Sequence, residues 1–137
     1  MASNTSPIFL KAPVVNYVST GVNANTALDG TGTVATAFTA DVTNGGKIED
    51  IYLNHLGTNV ATVVRFFVNN GSTNATATNN TLVHEETMLA NTLSQVAASI
   101  PIVWRANLVL APGYKLNVTI GTAIAAGIQV TCVGGSY

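Results

Sequence analysis

A chain of 137 residues with five Lys/Arg, six Asp/Glu and a formal net charge of −1 is charged at only 8% of its positions, against roughly 25% in an ordinary globular domain. Its cations, Lys11, Lys47, Arg65, Arg105 and Lys115, are scattered, which excludes the basic patch that nucleic-acid binding needs. The length suits one domain with its own core, no apolar run reaches the ~20 residues of a membrane-spanning helix, and Cys132, the only cysteine, excludes an intrachain disulfide or a Cys-based zinc site.

Residues 1–12 are polar and Pro-containing, with Ile8, Phe9 and Leu10 as their apolar group. They read as an extended N-terminal arm, either frayed or laid against a neighbour as a tether. The start MASNTSPIFLKAP has neither the basic residues nor the long apolar run of a secretory signal. Residues 13–137 read as a single β-sandwich domain. A short strand at 13–20 carries Val14, Val15, Tyr17 and Val18, and 21–32 (GVNANTALDGTG) is loop. A strand of small residues follows at 33–40, then the turn signal Asn44-Gly45-Gly46.

The clearest stretch runs from Lys47 to Gly71. Its β-branched and aromatic residues predict strands at 48–56 and 60–69, parted by Gly57-Thr58-Asn59. Period two puts Ile51 and Leu53 on one face, and Val64, Phe66 and Val68 on one face. As hairpin partners the two strands would set Leu53 near Val64, Ile51 near Phe66 and Tyr52 beside Arg65, with Asp50 diagonal to Arg65. If the link instead crosses between stacked sheets, only the facing survives.

The Asn/Thr tract 69–80 reads as a surface loop, and 81–89 as a strand alternating Leu82, His84 and Glu86 against Val83, Glu85 and Thr87. Residues 90–99 have room for at most one helical turn, capped by Asn91 or Thr92. Strands follow at 100–103, 107–110, 114–120 and 124–133, with a turn at Ala111-Pro112-Gly113. Some eight or nine short strands at this spacing, with little helix, predict an all-β antiparallel sandwich of jelly-roll type.

No nucleophile-elbow, phosphate-loop, dinucleotide or zinc-protease motif occurs. Glu49-Asp50 and Glu85-Glu86 are neighbours in strands, so each pair splits to opposite faces, a poor setting for paired acid/base work. His84 and Glu86 share a face, and His55 joining them would make a metal site; a solvated strand face is the plainer reading. Cys132 reads as a small buried hydrophobe. Tyr17, Tyr52, Trp104 and Tyr114 are candidates for stacking on a sugar, Trp104 beside Arg105 being the most suggestive, with a core or subunit-interface Trp as the plainer reading. No catalytic, cofactor-binding or metal-binding residue is expected.

The strand pair joined by LGTN, Arg65 ahead of FFVNNG, the Asn/Thr loop, and L-x-L-A-P-G-Y-x-L-x-V-x-x-G-T near the C-terminus resemble small virion proteins of tailed bacteriophages, cyanophages among them. The resemblance covers roughly residues 48–135. It implies a capsid cement or decoration protein: a compact β-sandwich, commonly a homotrimer, that binds the major capsid protein on the outer face of the shell after assembly in the host cytoplasm. It carries over a role and no site. From the residues themselves the candidate contacts are Ile8, Phe9, Leu10, Tyr52, Arg65 and Trp104. The alternatives are a tail- or fibre-associated sandwich that binds a host glycan through Trp104 or Tyr114 and, more distantly, a metal-dependent enzyme using His55 and His84.

Overall fold

A computed structural model describes residues 10–20 and 23–137. It contains nine strands: β1 (Ala12–Thr20), β2 (Ala35–Thr39), β3 (Gly46–His55), β4 (Thr62–Asn69), β5 (Asn80–Met88), β6 (Ile102–Trp104), β7 (Leu108–Leu110), β8 (Lys115–Ile120) and β9 (Ile128–Ser136). One sheet runs β1-β9-β3-β6 with β7 also on β3, the other β2-β8-β4-β5, and every pairing is antiparallel. Because β6 and β7 both border β3, they form one edge strand interrupted at 105–107. The interruption is shaped by Asn107, whose φ of 43° is a left-handed conformation that Asn tolerates. Its N–H donates to Glu49 O at 3.1 Å, where β3 is itself bulged between Ile48 and Asp50. Counted so, the chain crosses between sheets at almost every connection, and only β4 and β5 are sequential neighbours. This is the jelly-roll sandwich.

The apolar faces lie where period two puts them. Ile51 and Leu53 of β3, Val64 and Phe66 of β4, Leu116, Val118 and Ile120 of β8, and Ile128, Val130 and Cys132 of β9 are all buried in the core between the sheets. The expected β3–β4 hairpin does not form. β3 belongs to one sheet and β4 to the other, so Tyr52 lies between Val103 and Thr131 while Arg65 lies between Glu85 and Thr119. Asp50 is 3.9 Å from Arg105 instead. The short 56–61 link spans the sheets, and the facing of each strand survives.

Phe67 is as buried as Phe66 yet points away from that core, as its neighbour in the strand must. The loop 23–33 roofs it. Asn25 anchors this roof: its backbone N–H donates to Ile120 O at 2.7 Å, and its Nδ2 donates to Thr31 O and Thr33 O at 2.8 Å each. Asn74 Nδ2 donates to Gly32 O at 2.9 Å and Asn80 Nδ2 to Asp29 O at 3.1 Å, tying the loop to the β4–β5 turn. Gly30, at φ 76°, comes so close that a Cβ there would lie 2.6 Å from Asn80 Cβ and 3.0 Å from Phe67 Cδ1. Asn117 and Thr119 are buried on the same outer face.

Leu10 is half-buried, and the Lys11 N–H donates to Ser136 O at 2.9 Å, so the pairing with β9 begins just ahead of β1. Ile8 and Phe9, with the rest of residues 1–9, lie outside the described residues, as does the side chain of Tyr17. Residues 90–99 hold no helical turn. The local cap there is Ser94, whose Oγ accepts from the Val96 and Ala97 N–H groups at 3.2 and 3.1 Å.

Candidate interaction surface

The remaining candidate residues do not converge. Tyr52 faces outward from the first sheet and Arg65 outward from the second. Arg65 Nε donates to Glu85 Oε1 at 2.7 Å, and its side chain is only 15% exposed; Nη1 reaches Asn25 O at 3.5 Å. That makes it a brace between the roof loop and β5. Trp104 is half-buried at the sandwich edge, stacked on His84 with ring centroids 4.2 Å apart and packed on Phe66 at 5.1 Å. Tyr114 packs against the core.

The two histidines serve different surroundings. His84 Nε2 lies 3.3 Å from Glu86 Oε2, while Glu85 turns to Arg65, so the acidic pair splits as its alternation requires. His55 Nδ1 lies 3.4 Å from Asn59 Nδ2, and desolvation lowers its pKa below the ordinary value. Among the described residues no three His, Cys, Asp or Glu side chains gather where they could hold a metal ion. Burial pushes the Cys132 thiol up to about 12, so it stays protonated and is no nucleophile.

Sequence reading missed the region where unusual features do converge, at the end of the sandwich where β3 and β5 terminate. The connection 89–101 is pinned to the link 56–60 by an isolated bridge, in which Asn59 and Asn91 exchange N–H···O bonds of 2.9 Å. Asn91 Nδ2 donates to Gly57 O at 3.0 Å, the Leu93 N–H donates to Thr58 Oγ1 at 2.9 Å, and Ser99 Oγ donates to Asn91 Oδ1 at 3.0 Å. From beneath, Asn59 Nδ2 donates to Gly127 O at 2.8 Å. Asparagine supplies both donor and acceptor, so it can cross-link two loops without charge.

On this frame the large aliphatic side chains are turned out. Val96 is 98% exposed, Ile100 88% and Leu89 73%, with Leu93, Val60 and Leu56 around half exposed. Beside them opens a groove of about 490 Å³ lined by His55, Leu89, Ala90, Ser99, Ile100 and Ile102 among others. Single exposed aliphatics are ordinary, whereas a contiguous group marks a contact surface. The signal was present in Leu89, Leu93, Val96 and Ile100, which recur at helical spacing; the segment forms no helix, so no single face gathers them inward and they stay exposed.

No protein-family model matches the chain, and a search of curated proteins finds no match either.

Proposed function

We propose that the protein is a non-enzymatic structural component of a virion, a cement or decoration protein that binds the outer face of the major capsid protein lattice as a trimer. The observation that carries this reading is the aliphatic rim at 89–101, presented on a neutral, hydrogen-bonded frame at one end of a rigid jelly roll. Such a frame suits a permanent contact between the copies of the trimer, because neutral hydrogen bonds and apolar contact are little affected by salt. The resemblance over residues 48–135 supports the same role.

Electron cryomicroscopy of intact particles tests it. Density for the sandwich at sites repeated over the shell is the expected result. Density confined to the tail would replace it with the glycan-binding alternative, and a particle without the protein would remove both.

A further inference from the structure

We infer that the rim 89–101 and the groove beside it form the contact by which one copy of this chain binds another, the protruding Val96 of one copy seated in the groove between His55 and Ile100 of the next. The inference names the self-contact within the trimer proposed above and rests on that reading only for the number of copies.

Three features select a second copy as the occupant. The first is charge. Residues 56–60 and 89–101 contain no Asp, Glu, Lys or Arg, and His55 is the only titratable side chain lining the groove. A partner with an ordinary charged surface would have to strip water from ions that find no counter-charge here. This chain, charged at 8% of positions, offers a surface that does not.

The second is extent. The two segments, 56–60 and 89–101, meet one neighbour with the projection and the other with the recess, so a ring holds each copy by both contacts together. The third is shape. One surface carries both an apolar projection, Val96, and an apolar recess whose lining includes Leu89, Ala90, Ile100 and Ile102. Projection and recess side by side cannot fill each other within one chain; they can between rotated copies, and a rotation that closes gives a ring. The frame of Asn59, Asn91 and Ser99 hydrogen bonds holds the projection in place beforehand, so little ordering remains to be done on contact.

The test is sedimentation velocity with light scattering on the full chain across the micromolar range. Wild type, Val96→Asp, Ile100→Asp and Val42→Asp are compared. Val42 is also highly exposed, at 79%, but sits at the other end of β3. Assembly of wild type and Val42→Asp, with the two rim variants shifted to monomer by at least about tenfold in concentration, is the expected result. The rim positions are exposed, so the melting curves of the variant monomers check that they fold. A wild type that stays monomeric, or rim variants that assemble like wild type, overturns the inference. Rim variants that still form the trimer and decorate the shell like wild type overturn it while leaving the capsid reading intact. Rim-dependent assembly of a protein that never binds the shell does the reverse.

Discussion

The imidazole of His84 lies on the indole of Trp104, centroids 4.2 Å apart and planes 14° from parallel. His84 is on β5 and Trp104 on β6, the edge strands of opposite sheets, so the stack closes the sandwich where the two edges meet. It also staples the strands that flank the 89–101 connection.

Removing either ring should loosen that closure. His84→Ala is expected to cost about 1 kcal/mol, the range of an aromatic pair beyond its buried area. Trp104→Ala costs more, approaching about 3 kcal/mol, because it also strips a large side chain from Phe66. Urea unfolding of both single variants and the double variant should reveal a coupling of roughly 0.5–1.5 kcal/mol. Strict additivity would mean that the stack contributes nothing of its own.

The roof over Phe67 depends on Gly30. Gly30→Ala places a Cβ against Asn80 and Phe67 at a φ of 76°. It should destabilise by at least about 1–3 kcal/mol, the cost of a left-handed non-glycine residue. Equal midpoints for wild type and variant would show that the loop yields without loss.

His55 gives a pH dependence of definite sign. Desolvation holds its pKa below the ordinary 6.5, so above that value folded and unfolded states are both neutral and it contributes no slope. As pH falls below 6.5 toward the lower folded value, the unfolded chain binds the proton first and stability declines. His55→Gln should flatten this part of the curve, measured as melting temperature between mildly alkaline and mildly acidic buffer. Asp29 and Asp41 act further down: hydrogen bonds from Thr31, and from Asn44 and Thr43, lower their pKa values. The stability they contribute is full above 3.8 and is lost as pH falls through the folded values. An unchanged slope in His55→Gln would assign the near-neutral effect elsewhere.

Cys132 should resist thiol reagents in the folded protein. Its side chain is fully buried on β9, and its thiol is pushed up to about 12, so neither access nor thiolate is available. Labelling should appear only with unfolding, at the rate the denaturant sets. Rapid labelling in native buffer would show that β9 opens locally.

How much of this was legible beforehand divides along physical lines. The alternation of Leu116, Val118 and Ile120 states which side of β8 is inward, because strand geometry is local. It does not state which strand lies alongside, so Ile51 could be assigned a face correctly and Phe66 a wrong neighbour. The burial of Phe67 was invisible because its cover comes from Gly30 and Asn25, far away in the chain. Capping by Ser94 was hidden by equally good donors and acceptors at Asn91 and Thr92. Asn91 is used instead for long-range links to Gly57 and Asn59.

With the loop 23–33 spread over it, the β2-β8-β4-β5 sheet is covered on both sides at its middle, around Phe67, Asn117 and Thr119, while the outer face of β5 stays exposed. Phe67, Asn117 and Thr119 therefore occupy positions that alternation alone marks as free to vary, yet a saturation scan should find them nearly as intolerant as Phe66. The outward-facing Val15, Val103 and Val109 of the other sheet, which no described residue roofs, should accept most replacements, and new contacts can arise there without disturbing the fold.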